Sequence, residues 1–212
     1  MKIGIIGAGD VAKTLAVGIS KNHHVKISSR EPSKNEDFMS KYPAIEVVTF
    51  GKAAQFGELI IHALPGNVSI NVLKTIKHEL ENKVMIDLAN PLDFSKDSFE
   101  LFIANNDSLG EQIQKLLPKT KVVKALNTVT AKLMINPSSI KNPHDIFICG
   151  NDKDAKEIVK AILTNDFGWQ TIHDLGDIQG SRAMEQLMHL WLKLWSNIGH
   201  TMFNFHIEIK QP

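Results

Sequence analysis

Short apolar runs alternate along this chain with longer stretches whose apolar residues fall at helical spacing. The runs Ile3–Ile6, Val25–Ile27, Val47–Val48, Leu59–Leu64, Val84–Leu88, Val122–Leu126, Ile146–Cys149 and Gln170–Ile172 predict strands. Between them, the segment opened by Asp10, then Ser33–Tyr42, Val68–Leu80, Leu109–Leu117 and Asp152–Leu163 predict helices; in Val68–Leu80 the apolar face is Val68, Val72, Ile76 and Leu80. A continuous run such as LIIHAL at 59–64 suits a strand covered on both faces, as in a parallel sheet. The alternation predicts an α/β fold, a Rossmann-type doubly wound and mostly parallel sheet. Residues 180–199 break the pattern with one broad apolar helix face, Ala183, Met184, Leu187, Met188, Trp191, Leu194, Trp195 and Ile198. The expected division is a Rossmann domain over 1–175, with a C-terminal helical appendage and tail over 176–212 packing on the same unit. Residues 92–118 read as a loop followed by the helix at 109–117.

The first βα unit carries the most specific chemistry. Its strand runs straight into Gly7-Ala8-Gly9-Asp10-Val11-Ala12, which opens the first helix. In a dinucleotide-binding turn Gly7 permits the tight bend, Gly9 lets backbone N–H groups approach a pyrophosphate, and Ala12 lets helix and strand pack closely. The anion would sit at the helix N-terminus, with Asp10 and Val11 beside it.

The tip of the second strand separates NAD from NADP. NAD binders usually place an acid there, about 20 residues past the glycines, on the ribose 2′-OH. This chain has Ser29 and Arg30, with Lys34 four residues on. Cations and a hydroxyl suit a 2′-phosphate, and charged hydrogen bonds contribute roughly 1.5–3 kcal/mol each. NADP is the expected cofactor; Glu31 is the competing detail, placed to reach the ribose hydroxyl instead.

Ligands of open α/β sheets bind at the carboxyl ends of the strands. Those ends carry His62 to Asn67, Asp87 to Leu92 and Lys124 to Thr128. Leu64, Pro65, Asn90 and Pro91 are therefore candidates for placing a nicotinamide, and Asn127 for touching the second substrate; Trp191, on the apolar face at 180–199, is a candidate for the same contact if part of that face lines a pocket for a flat aromatic ligand rather than packing on the sheet. His62, inside LIIHAL, reads as a satisfied core histidine rather than an acid. No catalytic residue can be named, which suits hydride transfer between two rings, where the cofactors carry the chemistry.

Composition adds exclusions. Across 212 residues the formal net charge is +1, without the excess of Lys and Arg a nucleic-acid binder shows. One cysteine, Cys149, excludes an internal disulfide and fits a reducing, cytoplasmic setting. No uncharged apolar stretch is long enough to span a membrane, and with a strand predicted from residue 2 no signal peptide is expected. No metal site is expected.

The strings IGIIGAGDVAKTLA, SSREPSK, VMIDLANPL, KVVKALNTV, FICGNDKDAK and DLGDIQGSRAMEQL follow in an order that resembles the NADPH-dependent deazaflavin oxidoreductases, the coenzyme F420 family, over essentially the whole chain. It is also similar to the cytosolic NADPH-binding domain of the six-transmembrane metalloreductases. The resemblance implies that Ser29, Arg30 and Lys34 grip the 2′-phosphate, that Pro65 and Asn90-Pro91 lie near the nicotinamide, and that a deazaflavin or flavin is the second redox partner. Departures are the turn GAGDVA, one residue tighter than the GGTGxxG form of the archaeal enzymes, and a bulkier C-terminal face. The leading expectation is an NADPH-dependent oxidoreductase passing hydride to a deazaflavin, flavin or related small acceptor, with a homodimer through the tryptophan-bearing helix. Two others stand beside it: an imine or hydroxyacid reductase, and a non-catalytic NADP sensor.

Overall fold

The computed structural model describes residues 1–93 and 100–210. In chain order the elements are β1 (Lys2–Ile6), α1 (Asp10–Ile19), β2 (His24–Ser28), α2 (Glu36–Lys41), β3 (Glu46–Val48), α3 (Phe50–Phe56), β4 (Leu59–His62), α4 (Gly66–Thr75), β5 (Val84–Asp87), β6 (Leu92–Asp93), β7 (Glu100–Leu101), α5 (Leu109–Leu116), β8 (Lys121–Ala125), α6 (Ala131–Ile135), β9 (Asp145–Gly150), α7 (Lys153–Asn165), β10 (Thr171–Asp174) and α8 (Ser181–Ile198). The main sheet has the order β10-β9-β8-β5-β4-β1-β2-β3. Its pairings are parallel except β8 with β9, so the fold is the expected Rossmann-type, mostly parallel sheet with a helical C-terminal segment. No described helix is long and apolar enough to cross a membrane.

The chain builds outward through β1, β2 and β3, then returns to lay β4 against the other side of β1. That reversal opens a crevice between the carboxyl ends of β1 and β4, where ligands of such sheets bind. Alternate strand residues feed two apolar layers. Ile3, Ile5, Ile27 and Ile61 face α1, α6 and α7; Ile6, Ile60, Met85 and Val122 face α3, α4 and α5. The strands are therefore apolar on both faces, which is why they read as continuous runs.

Several local readings need correction. The helix expected at 68–80 is α4 plus a short 3-10 turn at His78–Leu80. It buries Gly66, Ser69 and Leu73, while Val68 is 38% exposed, because Gly66 must lie against the backbone of the β5 loop. The helix at 33–42 divides into a 3-10 turn, Pro32–Asn35, and α2. Helix α3 was not foreseen: its buried residues are Ala53 and Ala54, too small to give an apolar stripe. The strand read at 170–172 lies at Thr171–Asp174. Within 92–118, β6 and β7 pair antiparallel where a loop was expected, and part of that reading, residues 94–99, lies outside the described residues. On α8 the buried face is Ser181, Met184, Glu185, Met188, Trp191 and Leu192, whereas Ala183, Trp195 and Ile198 are exposed. A glutamate thus sits inside a face that had read as wholly apolar.

Candidate active site

A continuous groove crosses the crevice at the reversal of strand order. One end is a cavity of about 280 Å³ lined by Gly7, Gly9, Ser29, Arg30, Lys34 and Phe50. The adjoining cavity, about 330 Å³, shares Gly7, Gly9 and Leu64 and continues over Asp10, Val11, Pro65, Gly66, Ala89 and Asn90. The first end is polar and cationic, the second largely apolar. This division suits an adenosine phosphate at one end and a nicotinamide at the other.

The turn between β1 and α1 is built for close approach. Gly7 has φ +137°, a conformation L side chains rarely adopt, and a Cβ there would fall 2.5 Å from the Ala63 carbonyl oxygen. Its N–H donates to Ser28 Oγ at 3.3 Å, and Ser28 Oγ donates onward to the Ile5 carbonyl at 2.9 Å, fixing β1 against β2. Gly9 differs. Its φ is −76°, ordinary for any residue, and a Cβ there would meet no protein atom within 4 Å. The protein's own packing does not require that glycine; the space it leaves lies in the groove. Gly9 also precedes α1 with no side-chain cap, so the first N–H groups of that helix are open to an anion. Ala12 is fully buried beneath the turn, where a larger side chain would separate α1 from the sheet.

At the tip of β2, Ser29 Oγ accepts from the Glu31 N–H at 3.2 Å, forming a tight local turn. Lys34 pairs with Glu31 at 2.9 Å, so the acid that competed for the ribose is held by a neighbouring cation. Arg30 makes no side-chain hydrogen bond or ion pair among the described residues. An unpaired guanidinium beside a hydroxyl and a lysine fits the 2′-phosphate of NADP.

The other end is floored by the β4 and β5 loops. Asn90 Nδ2 donates to the Asn127 carbonyl at 2.8 Å, and Asn127 Nδ2 donates to Asn90 Oδ1 at 2.9 Å. Asn127 Nδ2 also reaches the Met184 carbonyl on α8 at 3.1 Å. Trp191 does not line the groove; it is buried against Met188, Leu192 and Phe203, with Leu92 joining its cluster to the groove's edge.

The family model "NADP oxidoreductase coenzyme F420-dependent" matches residues 2–91. The F420-dependent NADP reductase of Methanocaldococcus jannaschii is 30% identical over 209 residues, covering 92% of each chain. The chain belongs to the F420-dependent NADP oxidoreductase family. A crystal structure of a putative F420-dependent NADP-reductase from Arthrobacter sp. FB24 superposes with a TM-score of 0.95 at 37% identity, covering 99% of this chain and all of the other. The metalloreductase STEAP3 of Rattus norvegicus is 26% identical over 222 residues, with all of this chain matching 43% of that protein.

Under the apolar end of the groove, this member of the F420-dependent NADP oxidoreductase family carries a row of buried polar and charged side chains. His62, Asp87 and Lys124 occupy successive register positions on β4, β5 and β8, and each is fully buried. His62 Nδ1 lies 2.7 Å from Asp87 Oδ1, Lys124 Nζ lies 2.7 Å from Asp87 Oδ2, and Glu185 of α8 closes the row at 2.9 Å from Lys124. Burial disfavours the Asp87 carboxylate, but Lys124 and the His62 hydrogen bond outweigh it and hold its pKa below the usual range. Burial likewise opposes the Lys124 ammonium, and Asp87 with Glu185 reverse that, raising its pKa. Glu185 is raised, since burial exceeds the help from Lys124 and two backbone N–H groups. Cys149, next in register after Lys124, is pushed up to about 11 by burial, which removes it as a nucleophile at neutral pH.

The predicted residues Gly7, Gly9, Ser29, Arg30, Lys34, Asp10, Val11, Leu64, Pro65 and Asn90 all line the groove. Ala12 lies under it and Asn127 beside it through Asn90. Pro91, in the same loop, accepts the Phe102 N–H at its carbonyl, tying that loop to β7. The apolar wall Phe50 and the strand-end row of His62, Asp87 and Lys124 with Glu185 were missed as site residues. The row had a sequence signal: a polar residue at or next to the carboxyl end of three apolar strands.

Proposed function

We propose that this chain, an NADP-dependent oxidoreductase by family, exchanges hydride between NADP(H) and coenzyme F420 or a closely related deazaflavin. With both molecules bound, the reduced pyridine ring supplies the hydride, and the deazaflavin takes it up with one proton. The protein's part is to hold, orient and exclude water. Arg30, Ser29 and Lys34 bind the 2′-phosphate, and the open position at Gly9 with the uncapped start of α1 receives the pyrophosphate. Leu64, Pro65, Ala89 and Asn90 form the dry floor under the pyridine ring. Asp10 stands at the same helix start and is exposed, so its negative charge stays solvated beside the phosphates.

The observation that carries this reading is Arg30, unpaired among the described residues, at one end of a groove that continues, through the glycine turn, onto an apolar pocket at the strand ends. The acceptor assignment rests on the family. Residues 1–175 with α8 and the tail act as one unit, because Glu185, Met184 and the 203–207 segment all bond to the sheet or its loops. We place the protein in the cytoplasm, with the exposed Trp195 and Ile198 of α8 as the homodimer contact.

The test is NADPH oxidation with F420, FMN and ferric citrate supplied in parallel. F420-dependent oxidation at least about tenfold faster than either alternative is expected. Binding of NADPH without turnover on any acceptor would favour a sensor, and turnover on FMN or iron alone would move the acceptor assignment.

A further inference from the structure

The row His62–Asp87–Lys124–Glu185 is used by no step above. Buried ion pairs are a weak source of stability, since apolar side chains of similar volume often do as well; where they persist, they fix geometry. The outward contacts of this row end on backbone groups at two places. Lys124 Nζ donates to the Ala89 carbonyl at 2.7 Å, while Asp87 Oδ1 accepts the Ala89 N–H at 3.1 Å. Glu185 accepts the N–H groups of Leu109 and Gly110 at 2.8 and 2.9 Å, satisfying the start of α5 and joining α8 to it. Ala89 is thus held at both its donor and its acceptor, and it lines the apolar end of the groove. One residue further, the Asn90 carbonyl lies so close to Gly66 that no side chain fits there, so the loop that follows Ala89 packs directly on the start of α4. None of the row's hydrogen bonds or ion pairs reaches Ser29, Arg30 or Lys34 at the opposite end.

We infer that Lys124 is a positioning residue: clamped by Asp87 and Glu185, it fixes the Ala89 peptide and with it the floor on which the nicotinamide ring lies. The inference rests on the dinucleotide reading of the groove. It deepens that reading by assigning each half of the cofactor a separate support, the phosphate end to β2 and the ring end to the buried row. Losing the ammonium would leave Asp87 and Glu185 facing each other without their shared cation, and the Ala89 carbonyl without its donor. The loop would then move toward solvent while the β2 tip stayed in place.

Lys124→Met keeps the aliphatic stem and removes the charge. NADPH and 2′,5′-ADP, which carries the phosphates of the adenosine half but no pyridine ring, are titrated against both proteins. The expected outcome is an about tenfold weaker NADPH affinity, about 1.4 kcal/mol, with 2′,5′-ADP affinity within about twofold of the parent. The rise in nicotinamide fluorescence on binding should shrink in parallel, and kcat should fall by up to about a hundredfold, more than KM rises. Equal losses for both ligands, or no loss for either, would overturn the inference. Should Lys124→Met not fold, Glu185→Gln leaves the Lys124–Asp87 pair intact and is expected to give the same selectivity at about threefold; an unchanged ratio there overturns it too. Failure of the underlying reading looks different, because the parent protein would then bind neither ligand.

Discussion

Asn90 and Asn127 are joined by two hydrogen bonds, Asn90 Nδ2 to the Asn127 main-chain carbonyl and Asn127 Nδ2 to Asn90 Oδ1, linking the loop after β5 to the loop after β8 at the edge of the groove. The residue before Asn127, Leu126, is buried with φ +64°, a left-handed conformation unusual for a branched apolar side chain. The strained step turns Asn127 toward Asn90 and lets it reach α8 through the Met184 carbonyl. Asn127→Ala removes both Nδ2 donations, to the part-buried Asn90 Oδ1 and to the Met184 carbonyl. A loss of about 1–3 kcal/mol in unfolding free energy is expected, checked by urea titration with unchanged slope.

The two glycines of the turn should respond oppositely. Gly7→Ala forces a Cβ against the Ala63 carbonyl at a positive φ, so thermal stability should drop clearly. Gly9→Ala has an ordinary φ and open space, so its melting temperature should stay within about 2 °C of the parent, since nothing in the fold is disturbed. Its NADPH affinity should nonetheless fall about tenfold, because the methyl group occupies the pyrophosphate's place. Calorimetry of both variants, with and without ligand, separates the two roles.

Glu31 holds Lys34 at 2.9 Å on the surface, and both side chains are mostly exposed. That pair competes with a bound phosphate for the lysine. Glu31→Gln should tighten NADPH binding by about two- to fivefold at low salt, in line with a surface ion pair, and the gain should vanish near 1 M salt. A binding isotherm at two ionic strengths checks it.

The C-terminal segment is tied down through one buried acid. Asp145 accepts from His173 at 2.9 Å, His206 at 2.9 Å and the Ile207 N–H at 2.7 Å, and its own N–H donates to the Phe205 carbonyl at 2.8 Å. Burial works against its carboxylate, but the hydrogen bonds from His206, Ile207 and His173 prevail, and its pKa lies below the ordinary aspartate value. A depressed folded-state pKa contributes stability that is complete above the unfolded value, about 3.9, and is lost as pH falls through the folded one. Below about pH 4, residues 203–207 should therefore detach progressively. Asp145→Asn should show the same detachment at neutral pH, with hydrogen exchange at Ile207 as the measurement.

The strands and the cofactor turn were legible because each rests on local chemistry. Ile3–Ile6 and Leu59–Leu64 are apolar on both faces, and Gly7, Gly9 and Arg30 lie close in sequence and act together in space. What stayed hidden depends on distant neighbours. Helix α3 buries two alanines, which carry no periodic signal, and α4 is phased by the contact of Gly66 with Asn90 rather than by Val68 and Val72. Glu185 fell on an apolar stripe and gave no hint that Lys124, some sixty positions earlier, needed a carboxylate. A buried charge is intelligible only when its partner is seen.

Arg30, at the tip of β2 and without an ion-pair partner among the described residues, carries the assignment of the groove to NADP. Arg30→Ala removes one or two charge-assisted hydrogen bonds to a 2′-phosphate and breaks no hydrogen bond or ion pair among the described residues. Fluorescence titration of parent and variant with NADPH and NADH should show NADPH affinity falling about tenfold to a hundredfold while NADH affinity stays within about twofold. Equal losses for the two nucleotides, or none, would contradict the account.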